Sequence, residues 1–243
     1  NSFSKVYSCQ DHSASKETFR IVICNDCGFT FTNPRPKDEN IGKYYFSENY
    51  ISHTNSKKNL FEKLYQIVRQ IAIKQKLSLL NTFSNLKIHL DIGCGTGEFL
   101  NACKNAGYGT KGIEPSNKAR NQAIQNFELD VTENTDLSQF ETNEFETISM
   151  WHVLEHISNL NYTVKHFARI LKDEGLVIIA VPNLQSWDAN YYKEYWAAWD
   201  IPIHFWHFSK KSINSLFEKH GFTLIKTKPI LFDSFYLSIL SEE

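Results

Sequence analysis

One glycine-rich segment constrains the fold of this chain more than any other. Apolar and polar residues alternate over Ile88–Ile92, and three glycines follow within five positions: Gly93, Gly95 and Gly97. A run of helix-forming residues comes next, so the segment predicts a buried strand, a tight turn and a helix start. Glycine permits positive φ and close approach of a ligand to the main chain, and a helix start offers unpaired N–H groups. We therefore expect a bound ligand here, facing Asp91 at the end of the strand.

The rest of the chain continues the alternation of strands and helices. Strand patterns cover residues 18–24, 29–32, 107–114, 127–131, 144–150, 176–181 and 221–228. Helix patterns cover residues 57–83, 97–106, 117–126, 160–171 and 210–220, with a helix stop at 172–175, and residues 232–240 fit either structure. From about residue 88 onward, this alternation predicts an α/β fold with a Rossmann-like, doubly wound and mostly parallel sheet.

Polar side chains gather at the predicted carboxyl ends of these strands, where doubly wound sheets bind their ligands. Glu114 ends the second strand of this region, where a carboxylate can accept hydrogen bonds from both hydroxyls of a ribose. A solvated carboxylate at a strand end is the alternative. Asn134 lies in a loop that we expect to flank an adenine, Met150 ends the fourth strand, and Trp151 directly follows it. We therefore expect one nucleotide-type cofactor along this edge.

The glycine spacing separates two kinds of cofactor. A dinucleotide fingerprint is G-x-G-x-x-G, whereas this turn is G-x-G-x-G with an acidic residue before the first glycine. The segment D-I-G-C-G-T-G-E resembles motif I of the class I S-adenosylmethionine (AdoMet) methyltransferases, whose glycine loop passes under the methionine part of the cofactor. An NAD-dependent oxidoreductase is the alternative, and the later segment W-H-V-L-E-H argues against it.

After about Ile41 the chain is similar to the methyltransferase-23-like group. The segments D-I-G-C-G-T-G-E, G-I-E-P-S, F-E-T-I-S-M-W-H-V-L-E-H, E-G-L-V-I-I-A-V-P-N and H-F-S-K-K-S-I follow in the order of that group. The resemblance implies AdoMet as cofactor and, as acceptor, a small molecule or a sugar or lipid intermediate of surface polysaccharides. Around the cofactor it places Asp91, Gly93, Cys94, Gly95, Gly97, Glu114, Pro115, Asn134, Met150 and Trp151. The group's seventh, antiparallel strand is hard to find after Leu240.

Four histidines are candidates for a general base. Methyl transfer is an in-line displacement, so an enzyme aligns donor and acceptor and removes a proton where the acceptor requires it. His152 and His156 follow the fourth strand of this region, and His204 and His207 belong to a later aromatic segment. His152 is the first candidate, and a structural role is the alternative for each of the four.

The same stretch contains a candidate metal site. His152-x-x-Glu155-His156 resembles the E-x-x-E-H motif of ubiquinone-biosynthesis O-methyltransferases and of small-RNA 3′-end methyltransferases, which bind a divalent metal there. Histidine in place of the first glutamate suits a transition metal better than magnesium. This interpretation makes the chain a metal-dependent O-methyltransferase, as an alternative to base catalysis by His152.

Residues 1–40 form a predicted N-terminal module that is similar to a zinc ribbon. Cys24 and Cys27, in the segment C-N-D-C-G, have the spacing of a zinc knuckle, in which two thiolates on one turn share a metal. A structural zinc needs four ligands, and Cys9 and His12 are irregularly spaced. We therefore expect a ribbon whose first knuckle lies upstream of this sequence; free thiols in a β-hairpin are the alternative.

The predicted methyltransferase domain, residues 41–243, contains an aromatic insertion at residues 184–208. Nine aromatic residues stand there beside His204 and His207. We expect the insertion to overhang the methyl-donor end of the cofactor and to form a wall for the acceptor, since aromatic faces suit a sugar ring or another flat ligand. A hydrophobic cap or a homodimer interface is the alternative.

Net charge, apolar content and cysteine content limit which binding partners and which cellular compartment we expect. A net charge of −1 and a pI of about 6.8 disfavour nucleic acid as a partner. No apolar run is long enough to insert into a membrane, and the N-terminus has no signal-peptide pattern. Five cysteines do not resemble a disulfide framework, so we expect a cytoplasmic protein. A non-catalytic adaptor that binds zinc or AdoMet is the third class of function, and the intact motif I disfavours it.

Overall fold

The computed structural model describes residues 2–12, 14–45, 60–82 and 87–242. The chain divides into two compact units. The first unit comprises Asn1–Asn59, Glu155–Ser158 and Pro182–Glu243, and the second comprises Leu60–Leu154 and Asn159–Val181. The predicted domain division at residue 40 stays a prediction.

Strands and helices follow one another along the described residues. The strands are β1 Phe3–Gln10, β2 Thr18–Cys24, β3 Thr30–Thr32, β4 Ile88–Ile92, β5 Gly109–Ile113, β6 Val131–Thr132, β7 Phe145–Trp151, β8 Leu171–Ala180 and β9 Trp206–His207. The α-helices are α1 Leu60–Asn81, α2 Glu98–Asn105, α3 Asn117–Phe127, α4 Leu160–Ile170, α5 Trp187–Tyr192, α6 Lys210–Glu218 and α7 Leu231–Glu242. Short 3-10 helices cover Asp38–Tyr44, Leu137–Gln139, Leu154–His156, Lys193–Tyr195 and Ala197–Trp199.

The first unit is built on an antiparallel sheet with the order β1-β2-β3-β9. β1 and β2 form a hairpin in which Phe3 pairs with Cys24, and β3 pairs with β9 through Thr30 and His207. The strand patterns at 18–24 and 29–32 are confirmed, whereas β1 was not predicted. Its side chains are mostly exposed, so the sequence carries no apolar periodicity there.

The aromatic insertion supplies much of the hydrophobic core of this unit. Phe19 and Ile21 of β2 are buried against Trp196, Trp199 and Ile201 of the insertion. A sheet face of a few apolar residues cannot exclude water alone, and these large rings cover it. Much of the aromatic content that was predicted to line an acceptor site therefore stabilises the fold.

The second unit contains a parallel sheet with the order β6-β5-β4-β7-β8. β4 lies at its centre and pairs in parallel with β5 on one side and β7 on the other. Strands added in opposite directions from a central strand leave a crevice at their carboxyl ends, where such sheets bind ligands. This confirms the predicted α/β, Rossmann-like sheet and places the glycine turn that follows β4 at the crevice.

Some predicted elements are wrong. No strand forms at residues 221–228, where Leu224 and Ile225 are exposed; the alternating pattern there has no neighbouring strand to pair with among the described residues. Residues 232–240, which fitted either structure, belong to α7. The predicted helix from residue 57 can be compared only from Leu60 to residue 82, because residues 57–59 and 83 lie outside the described part of the chain.

Two boundaries shift because of local backbone geometry. The third predicted strand, at 127–131, is reduced to β6, since α3 continues to Phe127 and ends at Glu128 with φ +51°. The helix stop expected at 172–175 falls inside β8, which begins directly after α4 at Leu171. Both errors concern where an element ends, which propensity specifies weakly.

Phe145 anchors the core of the second unit. Its side chain is buried, and its ring packs edge-to-face on Phe140 with centroids 5.1 Å apart. We expect Phe145→Ala to lower the free energy of unfolding by about 3–5 kcal/mol, since it leaves a cavity. Urea unfolding followed by circular dichroism measures this. The exposed Ile124→Ala serves as control, and equal stabilities of the two variants would contradict the assignment.

Candidate cofactor and metal sites

The glycine turn after β4 has the geometry that its sequence predicts. Gly93, Gly95 and Gly97 all have positive φ. A Cβ on Gly93 would lie 2.4 Å from Val153, and one on Gly97 would lie 2.7 Å from Ala123, so the packing of the protein requires both glycines. A Cβ on Gly95 would meet no atom within 4 Å. Gly95 therefore leaves the main chain open to a ligand.

Glu114 connects the end of β5 to this turn. One carboxylate oxygen accepts the N–H of Gly95 at 2.9 Å, and the other accepts the N–H of Ser116 at 2.8 Å. The side chain is only 9% exposed. Each carboxylate oxygen keeps a second lone pair, so Glu114 can also accept two hydroxyl groups. The geometry fits the predicted ribose contact.

Asp91 is buried at the end of β4. Burial raises the pKa of its carboxyl to about 7, while a hydrogen bond from Ser149 and the charge of Lys76 oppose that rise. The Lys76 ammonium also lies 4.4 Å from the centre of the Trp151 ring. The indole N–H of Trp151 is buried without a hydrogen-bond partner among the described residues. A cationic and a polar group therefore accompany Asp91 at this edge of the sheet.

α1 contributes two cations that the sequence analysis did not single out. Arg69 forms an ion pair with Glu98 at 2.6 Å and a hydrogen bond with Thr96 at 3.2 Å, at the start of α2. Lys76 lies seven residues further on, two helical turns along the same face. The only sequence signal was this spacing, which a solvated basic face also shows.

The other residues predicted near the cofactor have different surroundings. Cys94 and Met150 are buried, and Pro115 directly follows Glu114. Asn134 is exposed, and its side-chain oxygen accepts the N–H of Asp136, as in an Asx turn. Their contacts with a cofactor stay predictions.

The first unit contains a cluster that can hold a metal ion. Single ligand atoms of Glu155, His156 and His204 lie within 4.8 Å of one another. The Nδ1 atoms of His156 and His204 lie 3.0 and 2.9 Å from the carbonyl oxygens of Ile203 and Ala198. A carbonyl only accepts, so each Nδ1 donates its proton there, and in the neutral form of either ring the lone pair is on Nε2. Metal-binding histidines are commonly fixed in this way.

Electrostatics around the cluster also suit a cation. Burial and the neighbouring His204 lower the pKa of His156, which keeps its imidazole neutral. Burial raises the pKa of Asp200, whose carboxylate lies 3.7 Å from His204 Nε2. The carboxyl group of Glu155 is fully buried. The third member is His204, whereas the sequence pattern pointed to His152, which belongs to the second unit.

The remaining candidate bases differ from each other. His152 has φ +58°, and its N–H donates to the Ala180 carbonyl at 2.9 Å, so it sits in a strained turn after β7. His207 is buried, with Nε2 3.0 Å from the Thr32 hydroxyl, and burial lowers its pKa to about 3. The contacts of His207 are those of a structural histidine that holds β9 to β3.

The turn after β2 has the features of a thiolate knuckle. The N–H groups of Cys27 and Asp26 point at the Cys24 sulfur and lower its pKa. Cys9 pairs with Phe19 at the opposite end of the hairpin from Cys24, and burial raises its thiol pKa to about 12. Within the described ranges, no third ligand joins Cys24 and Cys27.

The aromatic insertion also presents an exposed face. Trp187 and Tyr191 stack with ring centroids 4.7 Å apart and are 70% and 61% exposed. A separate cavity of about 400 Å³ in the first unit is lined by Tyr7 and Trp199 together with uncharged polar residues, among them Gln185. Both features suit a neutral ring better than a charged ligand.

Comparisons with known proteins agree with this geometry. Residues 57–227 match the model of the methyltransferase-23 family, which is described as a methyltransferase domain. The chain therefore belongs to this family of class I, AdoMet-type methyltransferase domains.

Two relatives are named ubiquinone biosynthesis O-methyltransferase. That of Bartonella tribocorum is 31% identical over 146 residues, which cover 53% of this chain and 58% of the relative. That of Bartonella quintana is 26% identical over 163 residues, which cover 60% of this chain and 61% of the relative. The matches thus span about three fifths of these relatives.

Solved structures share the fold. Magnesium protoporphyrin IX methyltransferase of Synechocystis PCC 6803, with bound SAH, has a TM-score of 0.58 and 20% identity and covers 79% of this chain and 92% of its own. A SAM-dependent methyltransferase from Archaeoglobus fulgidus has a TM-score of 0.54 and 19% identity, and the match covers 72% of this chain and 85% of that structure's chain. Among the described residues, no helix is long and apolar enough to cross a membrane.

The role of Glu114 can be tested by removing its charge. We expect Glu114→Gln to weaken AdoMet binding at least about tenfold, because an amide replaces one oxygen that accepts an N–H, and hydrogen bonds to a charged group are strong. Isothermal titration calorimetry measures the affinity. The exposed Glu128→Gln is the matched control, and an unchanged affinity of Glu114→Gln would exclude Glu114 from the site.

Proposed function

We propose that the protein is an AdoMet-dependent methyltransferase that acts on a small-molecule acceptor. The observation that supports this most is Glu114, which is fixed by the N–H of Gly95 and still has free lone pairs beside an open glycine turn. AdoMet supplies a methyl group that its sulfonium already activates. The protein then has to bind the cofactor, align the acceptor and exclude water.

Roles for the surrounding side chains follow from their charges. Glu114 holds the ribose, and Asp91 attracts the ammonium group of the methionine part. Lys76 and Arg69 are the nearby cations for its carboxylate. Because the ammonium and the carboxylate of the methionine part each face a side chain of opposite charge, the cofactor binds in one orientation.

We further propose that the transfer is to oxygen and depends on a divalent transition metal. The cluster of Glu155, His156 and His204 supports this, because two imidazoles and a carboxylate form a typical ligand set for such ions. A bound metal acts as a Lewis acid and lowers the pKa of a hydroxyl group. The names of the two Bartonella relatives agree with O-methylation.

Removal of one ligand tests the metal proposal. We expect the protein to bind Mn²⁺, and Glu155→Gln to weaken that binding at least about tenfold, because the carboxylate supplies the negative charge of the site. Electron paramagnetic resonance titration measures free Mn²⁺, and His220→Ala is the control. Activity that survives thorough chelation would contradict metal dependence and leave His152 as the proposed base.

A neutral, ring-containing acceptor is the finer proposal, with a sugar or lipid-linked sugar as the expected class. It is supported by the uncharged cavity beside Tyr7 and Trp199 and by the exposed stack of Trp187 and Tyr191. Aromatic faces bind sugar rings by stacking. A cytoplasmic location and a homodimer stay predictions.

Structural zinc at Cys24 and Cys27 is a separate proposal. The main-chain N–H of Asn25 donates to the carbonyl of Ser2 at 3.0 Å, so the start of the described chain lies beside this turn, and a structural zinc there needs two further ligands.

Zinc content tests it directly. We expect the full-length protein to carry about one zinc ion and Cys24→Ser to lose it, because a structural site needs all four ligands. Inductively coupled plasma mass spectrometry measures the metal, with Cys103→Ala as control. Absence of zinc from the full-length wild-type protein would end the proposal.

A further inference from the structure

A chain of buried hydrogen bonds runs through the middle of the parallel sheet. Thr147 Oγ1 lies 2.7 Å from His89 Nδ1, and His89 Nε2 lies 3.2 Å from Ser149 Oγ. Ser149 Oγ in turn donates to Asp91. All four side chains are buried. The residues come in two register pairs, His89 with Thr147 and Asp91 with Ser149, on the same face of β4 and β7.

The chemistry of these groups determines which of them donates in each hydrogen bond. An ionised Asp91 only accepts, so the Ser149 hydroxyl proton points towards it. Ser149 Oγ then accepts from His89 Nε2–H, and His89 Nδ1 accepts from Thr147 Oγ1–H. Burial lowers the pKa of His89 to about 4, so the ring stays neutral and has one proton to donate. Every member is satisfied in this direction.

These four polar side chains lie in the interior of the sheet, where apolar side chains are usual. Polar side chains in a sheet interior cost free energy relative to apolar ones, even when they are paired. The charged groups that act on Asp91 are Lys76 from α1, which favours the carboxylate, and Glu114 after β5, which opposes it. The hydrogen bond from Ser149 favours the carboxylate more strongly than Lys76 does.

We propose that Ser149 and His89 are positioning residues that keep Asp91 ionised and oriented for the ammonium group of AdoMet. The inference rests on the proposed function, in which Asp91 faces the methionine part of the cofactor. His89 acts through Ser149, because its Nε2–H occupies the serine oxygen and leaves the hydroxyl proton for Asp91. Thr147 fixes the His89 tautomer in the same way.

The proposal predicts how cofactor binding depends on pH. Burial raises the pKa of Asp91 to about 7, so its attraction for an ammonium group is half-maximal near that pH, increases as the pH rises above it and is lost as the pH falls below it. A hydrogen bond to the charged form lowers a pKa, so its removal moves this transition to higher pH.

Titration of Asp91 in two variants tests the proposal. We expect Ser149→Ala to raise the Asp91 pKa by about one pH unit. ¹³C NMR of the Asp91 carboxyl carbon measures this pKa. His89→Phe keeps a ring against Phe99 and Tyr108 and should give part of the same shift. Ser138→Ala, on the surface, is the control. The calorimetric midpoint of AdoMet affinity against pH should move by the same amount as the Asp91 pKa.

The outcomes separate this inference from the proposed function. An unchanged Asp91 pKa in Ser149→Ala overturns the positioning role, and so does an equal loss of AdoMet affinity at every pH. ¹⁵N NMR should find the His89 proton on Nε2, and a proton on Nδ1 overturns the donor direction. If the wild-type protein shows the expected Asp91 pKa and His89 tautomer but binds no AdoMet, the proposed function is wrong, whereas the chain of buried hydrogen bonds from Thr147 to Asp91 is confirmed.

Discussion

The hydrogen bond from the Gly95 N–H to Glu114 is the interaction on which the proposed cofactor site depends. It joins the turn after β4 to the end of β5, the neighbouring strand. Because β4 has β5 on one side and β7 on the other, the turn after β4 lies at the carboxyl edge where the strand order reverses, which is where such sheets bind ligands. The same contact fixes the Glu114 carboxylate without using all of its lone pairs, so the site is organised before a ligand arrives.

The three glycines of this turn serve two different purposes. Gly93 and Gly97 have no room for a side chain because Val153 and Ala123 occupy it, whereas Gly95 faces open space. Two glycines are therefore required by the packing, and the third leaves the main chain open, as the proposed cofactor contact requires. A pattern of glycines in a sequence does not distinguish these roles, since both need the same residue.

Local patterns explain which parts of the structure were predictable. β4 shows alternating apolar and polar residues, and the glycine turn and Glu114 follow the ends of predicted strands, so the sequence shows all three directly. Lys76 was missed because a cation that faces a site and one that faces water leave the same pattern on a helix. The strand expected at residues 221–228 failed since alternation specifies a face but supplies no hydrogen-bonding partner.

Long-range packing explains the rest. Glu155 and His156 meet His204 only because the segment around the insertion folds back, with the Phe205 N–H donating to the Glu155 carbonyl at 2.9 Å. The aromatic residues of that insertion were assigned to ligand binding from their chemistry, yet Trp196 and Trp199 belong to the core of the first unit. Burial of a large ring contributes so much to stability that aromatic density alone does not identify a binding surface.

A crystal structure of the protein with S-adenosylhomocysteine tests the central claim most directly. We expect both ribose hydroxyls to bind Glu114, the glycine turn to contact the ligand at Gly95, and the amino-acid end of the ligand to lie beside Asp91. A ligand bound elsewhere, or a ribose that makes no contact with Glu114, would contradict the proposed cofactor site.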